Sequence, residues 1–171
     1  MPPVVGQRSE RRFYDVEMER LVIRPANLQD ASQLAEMRHR LWPGASPAEH
    51  ARELAPLLAG EFPGSLPGVI LVAQQSDGQI AGFIEADLRS HADGCDPSHP
   101  AGYIEGWYVA PEVRRKRVGT QLVIAAEEWA RNLGCREMAS DAWLEALDSQ
   151  SAHESLGYEV VDRCVHYRKS L

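Results

Sequence analysis

Cysteine is scarce in this chain of 171 residues: Cys95, Cys135 and Cys164 make an odd number at wide spacing. That pattern supports neither a disulfide framework nor a paired-cysteine metal site. Cys135 opens an apolar–polar alternation and is expected to be a small buried hydrophobe; none of the three is placed as a nucleophile. Long apolar runs are missing too. Nothing approaches the roughly 20 residues of a membrane-spanning helix, and the N-terminus lacks a signal-peptide apolar stretch. A cytoplasmic protein with no membrane partner is therefore expected. Positive charge is in deficit, with 18 Lys and Arg against 25 Asp and Glu and a net charge of −7. Such a balance argues against nucleic acid as a partner and permits a cationic substrate. His91 and His99 are lone histidines on one loop, so no metal is expected.

What is present suits one domain with a sizeable core, the hydrophobic fraction being 44%. Residues 1–17 are polar, arginine-rich and aperiodic and read as an N-terminal extension, with a single domain over 18–171. A first strand is stopped by Pro25, and a helix runs from the N-cap Asn27 to about Leu41. Ser46-Pro47-Ala48-Glu49 is a capping box opening a second helix, which Pro56 should kink or end. Strands over 69–75 and 80–88 flank the turn Ser76-Asp77-Gly78-Gln79; a loop over 89–101 precedes a strand over 103–109. Val118, Leu122, Ala125, Trp129 and Leu133 recur at helical spacing, and Gly134 is the expected stop. A short strand over 135–140, a helix over 148–156 ended by Gly157, and two final strands reaching Arg168 complete the pattern. The fold class is α/β (α+β), a mixed sheet with helices on both faces.

Between the strand over 103–109 and the helix after it stand four consecutive cations, Arg114, Arg115, Lys116 and Arg117. Unpaired backbone N–H groups and the positive end of the helix dipole converge at such a corner, which suits phosphate. A basic tetrad is also compatible with a solvated loop or a nucleic-acid patch, and its place between strand and helix favours phosphate.

This stretch resembles the central motif of the Gcn5-related N-acetyltransferases (GNAT), whose Arg/Gln-x-x-Gly-x-Gly/Ala loop cradles the pyrophosphate of acetyl-coenzyme A. Arg114, Val118 and Gly119 fit; Arg117 stands where the family has its first glycine. A residue with a Cβ is disfavoured by roughly 1–2 kcal/mol in the left-handed conformation glycine would adopt there. Arg117 therefore either keeps right-handed angles or bears strain. The resemblance implies the GNAT acyl-CoA N-acyltransferase fold, its sheet splayed between the fourth and fifth strands to admit the pantetheine arm. It implies acetyl-coenzyme A held by Trp107, Tyr108, Val109, Arg114, Arg115, Lys116, Arg117, Val118, Gly119 and Thr120.

A closer likeness lies in Leu41-Trp42-Pro43-Gly44, Asp93-Gly94-Cys95-Asp96, Glu105-Gly106-Trp107-Tyr108-Val109, the segment 134–141 and the closing segment 157–169. These are similar to the single-domain aminoglycoside 6′-N-acetyltransferases. Implied is acetyl transfer to the 6′-amine of an aminoglycoside antibiotic, giving resistance, by a homodimer. The resemblance places Glu105, Asp141 and Asp162 around the cationic substrate, with Trp42 as a wall. A polycation needs carboxylates that stay ionised. Glu105 is the first choice to take the ammonium proton and Asp141 the second; the Val109 N–H would stabilise the oxyanion. His153 stands where many relatives have a proton-donating tyrosine, and histidine titrates in a suitable range. Ala45 and Ala92 replace larger residues that line the antibiotic site of relatives, and Ala146 falls where an asparagine often contacts the cofactor; these departures bear on the antibiotic spectrum more than on the reaction. Two readings compete: acetylation of another amine (a polyamine, small metabolite or protein amine), or a non-catalytic acetyl-coenzyme A-binding module, which Arg117 would favour.

Overall fold

The computed structural model describes residues 21–170; the extension expected over 1–17 lies outside the described residues. The chain runs β1 (Val22–Pro25), α1 (Ala31–Leu41), α2 (Pro47–Leu58), β2 (Gly68–Gln74), β3 (Ile80–Arg89), β4 (Ala101–Val109), α3 (Val118–Asn132), β5 (Met138–Ser140) and α4 (Leu147–Ser155). Strands β1 to β4 pair antiparallel in sequence order, and β5 adds parallel to β4. The mixed sheet with helices on both faces is as the sequence implies.

Local chemistry sets the boundaries. Asn27 accepts from the Gln29 N–H while Asp30 closes back onto the Asn27 N–H, so a single 3-10 turn leads into α1. Ser46 and Glu49 make the reciprocal capping box of α2. Pro56 does not end that helix at once: it lies in the last turn, and the helix continues to Leu58. Asp77 accepts from the Gln79 N–H and Gly78 takes φ +89°, closing the β2–β3 turn.

The core is centred on β2 and β3, where Val72, Phe83 and Ile84 are fully buried. Helix α3 buries Val118, Leu122, Val123, Ala126 and Ala130. Leu133, expected on that face, is 47% exposed just past the helix end. The small Ala126 and Ala130 bring the helix close to the sheet, and a Cβ on Gly102 would lie 2.8 Å from Ala130 Cβ. Cys135 is buried.

The two final strands expected up to Arg168 are not formed among the described residues. Past Gly157 the described chain joins no sheet and is mostly exposed. A β-branched run supplies propensity but not a ladder partner, and β5, which lies beside β4 on that side, is three residues long. Short β5 also creates the splay. It pairs with β4 only over Gly102–Ile104, while β4 continues to Val109.

Candidate active site

The edge of β4 beyond β5, unpaired among the described residues, is the axis of the site. Ala110 N–H donates to the Ala81 carbonyl on β3 at 2.9 Å, an ordinary backbone hydrogen-bond distance. Backbone groups alternate sides along a strand, so the Val109 N–H points to the opposite edge, beyond the end of β5. The Val109 carbonyl on that edge accepts from Arg114 Nε at 3.1 Å. Trp107 and Tyr108, adjacent in β4, part company here. Trp107 lies against Gly119 at the start of α3, whereas Tyr108 turns into the core and stacks on Phe83 with ring centroids 6.3 Å apart.

On the α3 side, the cations Arg114 to Arg117 are all exposed. Arg117 is the N-cap of α3 at φ +63°, ψ +12°, and Arg115 has φ +62°. Of the two conformations open to Arg117, the left-handed one is realised. Its side chain caps nothing, so the first-turn N–H groups, those of Val118, Gly119 and Thr120, have no side-chain acceptor. The helix dipole, the free N–H groups and a loop bearing four cationic residues thus meet at one corner. A Cβ at Gly119 would fall 2.5 Å from Trp107 Cζ2, so glycine is needed for this approach. Trp107 Nε1 is buried there without a hydrogen-bond partner. Anion donors beside an open strand edge fit a pyrophosphate continued by an amide-bearing arm, as in acetyl-coenzyme A.

On the opposite face lies an acidic cluster. Glu85 pairs with Gly106 and Ala86 with Ile104, leaving Glu105 as an extra residue in β4. This bulge carries the exposed Glu105 side chain to Arg89 on β3. Arg89 hydrogen-bonds Glu105 through Nη2, its Nε is 3.7 Å from Asp87 Oδ1, and its guanidinium carbon lies 3.3 Å from the Tyr103 ring centroid. The Tyr103 hydroxyl donates to Asp141 Oδ1 at 2.8 Å, just past β5. Burial, and then the charge of Glu105, pushes the Asp87 carboxyl up to about 6. Burial, and then the bond to Asp141, raises the Tyr103 phenol well above its usual value. The sequence-expected Glu105 and Asp141 are thus brought into one cluster through Arg89 and Tyr103. Sequence reasoning missed Asp87, Arg89 and Tyr103. The signal was present in β3, where Glu85, Asp87 and Arg89 interrupt an apolar strand at every second residue.

Trp42 packs over Gly106 on this face of the sheet. Its ring meets Phe83 edge-on at 6.5 Å and takes the Arg38 guanidinium at 5.2 Å, and a Cβ on Gly106 would sit 2.3 Å from it. His50 Nε2 lies 3.0 Å from the Trp42 carbonyl, and Arg38 Nε lies 2.9 Å from Glu85 Oε1. Burial pushes Glu85 up to about 7 against the opposing pull of Arg38. Arg38, His50 and Glu85, also unforeseen, hold the tryptophan in place.

His153 on α4 reaches the splay. Its Nδ1 is 2.7 Å from the Ser149 carbonyl, so that nitrogen carries the proton; Nε2 is 3.0 Å from Ser140 Oγ at the end of β5. The ring meets Trp107 edge-on at 5.8 Å. Asp162 stands apart: exposed on the C-terminal segment, it accepts from the Arg163 N–H. Among the described residues there is no group of three or more His, Cys, Asp or Glu that could hold a metal.

Comparison with known proteins bears on this arrangement. The profile of the Acetyltransferase (GNAT) family matches residues 32–158. The chain is 40% identical over 150 residues to an aminoglycoside N(6′)-acetyltransferase type 1 of Klebsiella aerogenes, covering 88% of this chain and 97% of that protein. It is 37% identical over 149 residues to the enzyme of that name from Stenotrophomonas maltophilia, covering 87% and 93%. Its fold superposes on AAC(6′)-Iy in complex with the bisubstrate analogue CoA-S-monomethyl-acetylneamine with a TM-score of 0.77 at 34% identity, covering 89% of this chain and 99% of that one. With family profile, sequence relatives and fold in agreement, the chain belongs to the GNAT family of acetyltransferases.

Proposed function

We propose that this protein is an aminoglycoside 6′-N-acetyltransferase, moving acetyl from acetyl-coenzyme A to the 6′-amine of the antibiotic by direct attack. What supports this reading is one juxtaposition: a cationic helix start and an acidic cluster on opposite faces of the same splayed strand. Relatives at 40% and 37% identity bear the name of that activity. A drug with several ammonium groups matches carboxylates converging from β3, β4 and the end of β5.

Bound acetyl-coenzyme A supplies the thioester carbonyl that the amine attacks. Glu105 takes the proton from the 6′-ammonium, directly or through one water, and Asp141 orients the sugar. The Val109 N–H, free on the open edge, meets the carbonyl oxygen as it gains charge. Arg114, Arg115, Lys116, Arg117 and the N–H groups of Val118, Gly119 and Thr120 hold the phosphates. With its Nδ1–H held by the Ser149 carbonyl, His153 serves the departing sulfur when Nε2 is also protonated: the Nε2 proton passes to the Ser140 hydroxyl, whose own proton goes to the sulfur. Trp42 closes the acceptor side, and Asp162 contributes charge from the C-terminal segment.

The same reading makes the protein a cytoplasmic homodimer. Residues 159–170 donate and accept no backbone–backbone hydrogen bond among the described residues, and expose Val160, Val161, Val165 and Tyr167. Unpaired strand-like backbone with apolar side chains calls for a partner. Sedimentation at micromolar concentration should show a dimer.

A thiol-release assay with kanamycin, tobramycin and spermine tests the activity. Turnover on the two drugs, with raised resistance in a susceptible host, is expected. Turnover on spermine alone would replace the reading with a polyamine acetyltransferase. Binding of acetyl-coenzyme A without turnover on any amine would leave only a binding module.

A further inference from the structure

Arg89 has a peculiar position for a protein cation. It stands at the end of β3, on the Tyr103 ring, with carboxylates of Glu105 and Asp87 beside it and Asp141 one hydrogen bond further on. An aromatic face combined with flanking carboxylates is what proteins use to bind a foreign cation. Asp87 Oδ1 is itself buried and lacks a hydrogen-bond partner, since Arg89 Nε stops at 3.7 Å. The pocket therefore offers more acceptor capacity than its resident guanidinium uses.

We infer that Asp87, Tyr103 and Glu105 form an ammonium subsite of the acceptor cleft and that Arg89 is its resident occupant, which a polycationic acceptor must displace to bind. This rests on the proposed activity and goes beyond it by naming the residue that sets acceptor selectivity. An acceptor with a second ammonium group suitably spaced from the attacking amine replaces Arg89 and satisfies Asp87 as well. One lacking it leaves the arginine in place and meets a cleft whose charge is already partly neutralised. Arg89 thereby discriminates against simple monoamines, whose single charge cannot compete with a stacked, hydrogen-bonded guanidinium.

The test compares Arg89→Gln with Arg131→Gln, an equal charge change at an exposed position of α3. With kanamycin as acceptor, Arg89→Gln should lower KM about tenfold and change kcat less than twofold, while Arg131→Gln changes KM less than twofold. A simple primary amine should gain more from Arg89→Gln than kanamycin does. An unchanged or higher KM in Arg89→Gln, or an equal effect of Arg131→Gln, would overturn the inference. Should Arg89→Gln fail to fold, the unaltered protein suffices. The Arg89 side-chain Nε–H resonance, assigned with Arg89→Lys, should shift when kanamycin saturates the enzyme. A resonance that stays in place on saturation would equally refute displacement. Absence of drug acetylation by the unaltered protein would instead defeat the proposed function, so the two failures are separable.

Discussion

The two halves of the site are built from different materials. The α3 corner is largely backbone: free N–H groups at a helix start, two left-handed arginines, and a glycine permitting the approach of Trp107. The acidic face is entirely side chain, assembled from β3, β4 and the segment after β5 through a bulge at Glu105. A backbone site recognises a feature shared by every molecule with the same tail, and a cofactor has only one. A side-chain site can be retuned residue by residue, as a varied set of acceptors requires. Variants on one side should therefore leave the other side's ligand untouched.

The largest break in that comparison is expected from Glu105→Gln. Removing the proposed proton acceptor should lower kcat/KM on kanamycin by about a hundredfold, in the range of general-base losses. The dissociation constant for acetyl-coenzyme A should stay within twofold by calorimetry. A variant that kept full turnover would take Glu105 out of the chemistry.

Gly119→Ala attacks the other half. The new Cβ would lie 2.5 Å from the Trp107 ring, whose Nε1 side is buried, so the indole or the helix start must move. Overpacking of this kind costs about 1–3 kcal/mol. Acetyl-coenzyme A should bind about tenfold more weakly, with KM for drug unchanged. Equal weakening toward both ligands would show that the two faces are not independent.

These halves were unequally legible in the sequence. Arg114 to Gly119 are contiguous, so strand, basic loop and helix start could be read in order. Caps did the same for α1 and α2, because Asn27, Ser46 and Glu49 act within one turn of themselves. Glu105 and Asp141 came through family resemblance, not from spacing. Asp87, Arg89 and Tyr103 depend on cross-strand register, and the bulge that sets the register at Glu105 has no marker in the residue types. The segment over 158–170 failed for a related reason: its alternation is strand-like, yet nothing in a sequence says which edge will accept it. Arg117 left two backbone conformations open, and only the geometry chose between them.

Acidification should separate the halves by charge. Burial and the neighbouring Glu105 raise Asp87 to about 6, opposed by Arg89, with Tyr103 as the cross-strand neighbour. A raised carboxyl takes up its proton earlier as pH falls, so the acidic face loses negative charge through about pH 6. KM for kanamycin should climb severalfold between pH 7.5 and 5.5, while acetyl-coenzyme A affinity stays level. Asp87→Asn should show a higher KM at pH 7.5 and a flatter rise below it. An identical profile in that variant would assign the titration to another group.

The smallest effect, and the finest, belongs to Arg117→Gly. At φ +63° the arginine bears roughly 1–2 kcal/mol that glycine would not. Glycine also gains freedom in the unfolded chain, which offsets part of that relief. The melting temperature should therefore rise by only a few degrees. Affinity decides what the strain is for. If the side chain reaches the phosphates, acetyl-coenzyme A should bind a few-fold more weakly despite the more stable fold, and the loss should shrink as salt is raised. If only the backbone matters, binding should hold or tighten at every salt concentration, and the α3 corner would then be a backbone site to which Arg117 adds nothing but its conformation.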